Sequence, residues 1–193
     1  MKEAGDSVRI IGIDPGTLVA GYAVIEGPAR LRFQPRDFEI LDAGALKSRS
    51  SLPVTERLGY LHESFHDLAS RWQPGFCAIE RAFVGNSAGS ALRLGEARGA
   101  ITSAVRRLRI PVHELTPGTV KKTIAGNGRA DKEQISRALA LLIGFHQGDL
   151  PFDVSDALAI ALCFGLSYSA PRTPTRQAGP GTGDLATVAK HEG

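Results

Sequence analysis

Short apolar runs rich in β-branched residues alternate with segments of helical period, and this alternation constrains the fold most strongly. The runs that predict strands cover residues 8–13, 20–25, 38–46, 76–79 and 112–115. The first three follow one another directly, which favours an antiparallel meander. The last two are separated by a helical segment, so the sequence predicts an α/β fold in which helices flank a mixed five-stranded sheet.

Apolar residues at spacings of three and four predict the helices of this fold. These segments cover residues 54–72, 90–108, 132–143 and 155–168. Residues 26–37 contain two prolines and three arginines, which predicts a hairpin loop or a loosely structured insertion. Residues 170–193 contain three prolines and four glycines, which predicts a disordered tail. We therefore expect one folded domain over residues 1–169.

Length and composition indicate a globular protein that neither spans a membrane nor carries a signal peptide. The chain has 193 residues, of which 42% are hydrophobic, and both values fit one globular domain. Its longest apolar stretch, residues 157–166, is half of the ~20 residues that a membrane span needs. Residues 1–9 are too charged for a signal peptide. Cys77 and Cys163 lack metal-ligand spacing, so we expect a reducing, cytoplasmic location and no membrane partner.

Four acidic residues stand at the ends of predicted elements. Asp14 follows the first strand, and Glu80 follows the fourth. Asp153 and Asp156 are three residues apart at the start of the last helix, which puts both side chains on one side of its first turn. If the two strands are neighbours and the helix start covers their ends, the four carboxylates meet in one pocket.

Such a pocket requires a cation, because like charges a few Å apart repel each other and burial increases the repulsion. Mg²⁺ is the expected ion, since it binds carboxylates together with phosphate oxygens and water. Two such ions about 3.5–4 Å apart activate water and stabilise the leaving oxygen in phosphodiester hydrolysis. The pattern therefore predicts a metal-dependent nuclease.

Each acid also has a plainer interpretation. Asp14 precedes Pro15 and Gly16 and fits a turn former, and Glu80 fits a surface acid. Asp153 and Asp156 fit a helix N-cap followed by an acid three residues later. The segment 12–17 is also similar to the phosphate-binding turn of actin-like ATPases and sugar kinases, but those folds need two lobes. The joint occurrence of the acids favours the metal site.

Basic residues are concentrated in residues 93–132, which carry nine lysines and arginines against three acids. A basic rim beside an acidic metal centre suits a polyanion whose backbone is cut. The candidate DNA contacts are Lys121, Lys122, Arg129 and Lys132. Phe83 lies in a polar loop and either stacks on an unpaired base or packs beneath the loop.

Several motifs in order resemble one known family. They are Ile-Gly-Ile-Asp-Pro-Gly-Thr at 11–17, Gly-Tyr at 21–22, Ala-Ile-Glu at 78–80 with Phe83, Leu-Arg-Leu-Gly-Glu-Ala-Arg-Gly at 92–99, Val-Lys-Lys at 120–122, Gly-Asn-Gly-Arg-Ala-Asp-Lys at 126–132 and Asp-Val-Ser-Asp-Ala-Leu-Ala-Ile-Ala at 153–161. With them the chain resembles the RuvC family of bacterial Holliday-junction resolvases, which have the RNase H-like fold. The insertion at 28–37 and the tail after residue 170 depart from that pattern.

The resemblance implies an Mg²⁺-dependent endonuclease that places paired symmetric nicks in four-way DNA junctions during recombination and repair. It implies two Mg²⁺ per subunit, with Mn²⁺ as a substitute. It implies a homodimer, with the RuvA–RuvB branch-migration complex as a further candidate partner. Asp14, Glu80, Asp153 and Asp156 fall on the family's catalytic acids and metal ligands. Phe83, Lys121 and Lys132 fall on its DNA contacts. Residues 90–108 fall on its dimer interface.

The predicted dimer helix has a stripe that should face its own core, formed by Leu94, Ile101, Val105 and Leu108. Outside that stripe we expect Leu92, Ala97, Ala100 and Ala104 to face a second copy. Two other functions stay open: an RNase H-like nuclease that acts on RNA, and a junction-binding module that does not cleave. Buried, mutually repelling carboxylates disfavour the second, because a binding module gains nothing from them.

Overall fold

The chain was studied as a computed structural model, which describes residues 7–29, 34–81, 87–144 and 151–168. Its centre is a five-stranded sheet in the order β3-β2-β1-β4-β5. The strands are β1 (Ser7–Asp14), β2 (Val19–Pro28), β3 (Glu39–Lys47), β4 (Phe76–Glu80) and β5 (Val112–Leu115). β1, β2 and β3 form the predicted antiparallel meander, and β4 and β5 add to the other side of β1 in parallel. The predicted mixed α/β sheet is confirmed.

Helices cover both faces of this sheet. They are α1 (Val54–Trp72), α2 (Ala88–Arg107), α3 (Pro117–Ala125), α4 (Lys132–Ile143) and α5 (Phe152–Ser167). On one face α1 and α2 pack through Leu61, Phe65 and Ile101, all of which are buried. On the other face α3, α4 and α5 share a second core that contains Leu139 and Leu158. Among the described residues, the helices are too short or too polar to cross a membrane.

The helix α3 is absent from the predicted order of elements, which was therefore wrong between β5 and α4. Thr116 caps α3 by accepting a 3.1 Å hydrogen bond from the Thr119 amide, and Pro117 occupies a position near its start, where a missing amide proton costs little. Gly126 ends it in the left-handed conformation at φ 73°. With only nine residues, α3 is too short for a clear apolar period.

The helix α5 is the central helix of the fold and is buried on nearly all sides. It begins at Phe152, three residues before the predicted start, so Asp153 and Asp156 lie in its first two turns. The predicted insertion holds a short 3₁₀ turn, Pro35–Asp37. Residues 30–33 of that insertion, Phe83 and the predicted tail lie outside the described residues.

Candidate active site

Asp14 and Glu80 end two neighbouring parallel strands. β1 and β4 pair with Ile13 opposite Ile79, so the next residue of each strand is one of the two acids. Asp14 is itself the last strand residue of β1 and is paired with Gly21 of β2. Both carboxylates therefore emerge at the same edge of the sheet, as the sequence predicted.

The first turns of α5 lie directly against this edge. A Cβ atom on Gly21 would collide with the main-chain oxygen of Asp153, so the helix rests on the strand residue that faces Asp14. A Cβ atom on Gly12 would come within 2.6 Å of the Ala161 nitrogen, so α5 stays close to β1 further along its length. Glycine at both positions is what allows the helix to approach the sheet backbone and to bring its acids to the strand ends.

The acids of α5 are not helix caps. The N-cap residue is Pro151, and no side chain makes a capping hydrogen bond. Asp153 and Asp156 lie inside the helix, where capping gives them no structural role. The plainer interpretation of this pair was therefore wrong.

A cleft of about 340 Å³ opens between these carboxylates and α3 and α4. It is lined by Asp14, Glu80, Pro117, Val120, Lys121, Lys132, Ile135, Asp156 and Ala159. Three of the four predicted acids thus share the cleft with two of the predicted basic residues. Asp153 is not a lining residue, although its charge acts on Asp14. The apolar walls from α3 were missed at the sequence level because that helix was missed.

The carboxylates repel one another in this cleft. Burial raises the pKa of Asp14 to about 7, and the charges of Asp156, Glu80 and Asp153 contribute in that order. The pKa of Glu80 is also raised, first by burial and then by Asp156. Interpretation of Glu80 as an ordinary surface acid is therefore wrong.

Lys132 forms an ion pair with Asp156. Its Nζ lies 3.2 Å from Asp156 Oδ2, and this carboxylate raises the pKa of the ammonium group. Lys121 and then Lys132 offset part of the rise in the pKa of Glu80. Two lysines thus offset part of the negative charge and leave Asp14, the most strongly perturbed acid, without full compensation.

The donor set suits a hard divalent cation, because every charged acceptor in the cleft is a carboxylate oxygen. Asp14, Glu80 and Asp156 would hold such an ion, and Asp153 is the next acid available. Within the described ranges, no three acidic, histidine or cysteine side chains lie close enough to one another to bind one ion as they stand. The charges interact all the same, because Coulomb repulsion extends well beyond the ~2.1 Å length of an Mg²⁺–oxygen bond.

The other predicted DNA contacts lie outside the cleft. Lys122 and Arg129 are exposed, and neither lines it. The Arg129 amide donates a 3.0 Å hydrogen bond to Asn127 Oδ1, which fixes the turn between α3 and α4. The structure thus separates two cleft lysines from two surface basic residues.

The predicted dimer face of α2 was wrong at Ala97 and Ala104, while Leu92 is exposed as predicted. Ala97 and Ala104 are fully buried against the sheet and α1 side of the molecule. Ala100 is half-buried, and its carbonyl oxygen lies 3.2 Å from His62 Nδ1 of α1. The small alanines serve close packing inside the subunit. The exposed side of α2 carries Leu92 of the predicted face together with Gly95, Glu96, Gly99 and Ser103.

Known proteins are similar to this chain in both sequence and fold. The model of the family "Crossover junction endodeoxyribonuclease RuvC" matches residues 10–164. The protein of that name from Caldicellulosiruptor saccharolyticus is 38% identical over 84% of this chain and 95% of its own length. Its counterpart from Halothermothrix orenii is 35% identical over 82% of this chain and 93% of its own.

Solved structures agree with these relatives. T. thermophilus RuvC in complex with a Holliday junction substrate aligns with a TM-score of 0.75 at 28% identity, covering 83% of this chain and 94% of that one. The yeast mitochondrial Holliday junction resolvase Ydc2 aligns with a TM-score of 0.56 at 15% identity, over 81% of this chain and 78% of that one, which supports the fold alone. The chain belongs to the RuvC family of crossover junction endodeoxyribonucleases.

Proposed function

We propose that this chain resolves four-way DNA junctions by hydrolysing one phosphodiester in each of two symmetry-related strands at the cleft of Asp14, Glu80 and Asp156. The family is one of crossover junction endodeoxyribonucleases, so endonuclease activity follows from membership. The observation that carries the assignment of the site is the joining of three acids and two lysines in one cleft of about 340 Å³.

The residues of the cleft divide the chemistry among them. The carboxylates of Asp14, Glu80 and Asp156 would hold the divalent cation, with Asp153 as the fourth acid. That cation, when bound, supplies an activated water and stabilises the charge on the leaving oxygen. We further propose that the resident ion is Mg²⁺, that each subunit holds two such ions and that Mn²⁺ can replace them.

The lysines bind the substrate backbone. Lys121 and Lys132 face the carboxylates across the cleft, so a phosphate that enters it meets both ammonium groups. Lys122 and Arg129 extend the positive charge over the adjoining surface and would contact phosphates further along the strand. Phe83, three residues after the end of β4 in the sequence, is proposed as an aromatic contact to an unpaired base.

Two nicks in one junction require two active sites. A C₂ dimer supplies them with the twofold symmetry of the substrate. We propose that the contact lies on the exposed side of α2, where Leu92 is 66% exposed and a Cβ atom added at Gly95 or Gly99 would meet no other part of the subunit within 4 Å. The RuvA–RuvB complex as a partner and a cytoplasmic location belong to the same proposal.

The test uses four labelled substrates of equal length: a four-way junction, a duplex, an RNA duplex and an RNA–DNA hybrid. Each is incubated with Mg²⁺ and with a chelator. We expect cleavage of the junction with Mg²⁺ and none with the chelator. Preferential cleavage of the hybrid would favour the RNA nuclease, and tight junction binding without any cleavage would favour the binding module.

A further inference from the structure

We propose that Phe152 is a stacking surface for an unpaired base of the bound junction, at the mouth of the cleft that takes the scissile phosphate. The inference rests on the proposed function of that cleft. Phe152 is the first residue of α5, and 57% of it is exposed. Its ring faces the Nζ of Lys132, which lies 5.8 Å from the ring centroid.

The ring belongs to the rim of the cleft. Phe152 and Asp156 are four residues apart on α5, so their side chains lie on the same side of the helix. Lys132 links them, because its Nζ is 3.2 Å from Asp156 Oδ2 and lies over the Phe152 ring. A carboxylate, an ammonium group and an aromatic face therefore adjoin one another where substrate enters.

Folding does not account for an aromatic side chain here. Phe65 and Phe164, by contrast, are buried in the two cores. More than half of Phe152 stays in water, so its burial contributes little to stability. At the first position of a helix, other residues have an equal or better propensity than phenylalanine. The feature that distinguishes Phe152 is its place beside a cleft lysine.

The neighbouring charges identify the ligand. Lys121 and Lys132 attract the phosphates of a nucleic acid strand into the cleft. Successive nucleotides rise about 3.4 Å along one strand, so the ring lies within about two nucleotides of a phosphate held by Lys132. Bases inside a duplex are covered on both faces by their neighbours. An exposed ring therefore takes a base that is unstacked, as bases are where strands cross.

The test measures the affinity for a four-way junction, in the presence of a chelator, of Phe152→Ala, Phe152→Leu and Phe152→Trp and of the wild type. Stacking is worth about 1–3 kcal/mol per base, so the Ala and Leu variants should bind about 5- to 150-fold more weakly, while Trp retains wild-type affinity. Leucine separates the effect of an aromatic face from that of apolar bulk. Wild-type affinity in Phe152→Ala, or full affinity in Phe152→Leu, would overturn the proposal.

The salt dependence separates stacking from a mere effect on Lys132. Because no phosphate contact is lost, the slope of log affinity against log salt should not change in Phe152→Ala. If the salt dependence of Phe152→Ala is instead as weak as that of Lys132→Ala, the ring only positions the lysine. That result would overturn the proposal. Leu141→Ala, which removes an 87% exposed apolar side chain further along α4, should bind as wild type.

Junctions that carry one abasic nucleotide locate the base. At one position near the cleaved phosphate, the abasic change should weaken binding by the wild type but not by Phe152→Ala. Losses that add at every position would contradict direct stacking. A wild-type protein that binds junction no better than duplex would instead contradict the proposed function, so the two failures are distinct.

Discussion

Gly21 lies against the backbone of Asp153, so closely that any Cβ at residue 21 would overlap the Asp153 carbonyl oxygen. The register of β1 and β2 also pairs Gly21 with Asp14. One residue without a side chain therefore joins the strand that carries one acid to the helix that carries two others. The geometry of the site depends on this close approach.

Gly21→Ala should push α5 away from β2. Overpacking of this kind costs about 1–3 kcal/mol in the free energy of unfolding. Cleavage should fall roughly 10²-fold, because a displacement of about 1 Å suffices to misplace catalytic groups. Urea denaturation and single-turnover cleavage measure the two effects.

The matched control for that change is Gly59→Ala in α1, where no atom lies within 4 Å of the added Cβ. It should stabilise the protein by about 0.5–1 kcal/mol through helix propensity and leave cleavage unchanged. Equal losses of activity in both variants would exclude a specific role for the contact between Gly21 and Asp153.

Asp14→Asn should stabilise the metal-free protein at neutral pH. Burial and the neighbouring acids raise the pKa of Asp14 from 3.8 to about 7, so the folded state holds a proton that the unfolded chain has lost. The destabilisation by this carboxyl group grows as the pH rises from 3.8 to about 7. Above that window it has its full value. Below the window both states are protonated, and the penalty is absent.

In chelator, thermal melts of wild type and Asp14→Asn should therefore separate as the pH rises. We expect the variant to melt a few degrees higher at pH 8, since ~1 kcal/mol corresponds to roughly 2–4 °C in a domain of this size. Mg²⁺ should raise the melting temperature of the wild type more than that of the variant. Asp67→Asn, at an exposed site on α1, is the control. Superimposable melts at every pH would rule out the assigned electrostatics.

Lys132→Ala should weaken binding to every junction sequence alike. Each lost phosphate contact reduces the magnitude of the negative slope of log affinity against log salt by roughly 0.9. Arg137→Ala is the matched control, because Arg137 lies on the same helix but pairs with Glu133 at 3.8 Å and does not line the cleft. If both variants share the wild-type slope, Lys132 does not contact DNA.

Leu92→Glu should convert a dimer into monomers. The change puts a charge on the exposed side of α2, at the large apolar side chain that the proposed contact would bury. Sedimentation velocity measures the result, with Leu141→Glu at a still more exposed leucine of α4 as the control. A monomeric wild type that still makes paired nicks on junction DNA would contradict the C₂ mechanism.

The strand acids were predictable because each follows an apolar run with a clear period. Asp14 and Glu80 needed only the inference that the two strands are neighbours, which the pairing of Ile13 with Ile79 confirms. The ion pair between Lys132 and Asp156 was not predictable, because it joins residues 24 apart on different helices. Only the packing of α4 against α5 brings them together.

The errors have equally local causes. α3 was missed because nine residues show little period, although a Thr-Pro start and a glycine end mark it. The predicted outer face of α2 was wrong at Ala97 and Ala104, because large apolar residues were taken to define the whole buried side. In the structure Ala97 and Ala104 are fully buried together with Ile101 and Val105 of the predicted stripe, while Leu94 and Leu108 lie half-buried at the margins.

The most direct measurement of the central claim compares wild type with Asp14→Asn on a four-way junction labelled in turn on each strand. With Mg²⁺, we predict that the wild type makes paired nicks at symmetric positions in two strands. The variant should bind the junction with similar affinity in chelator and make no nicks with Mg²⁺, because the lysines that bind phosphate remain while a carboxylate of the metal cleft is lost. Cleavage by Asp14→Asn at the wild-type rate would contradict the account.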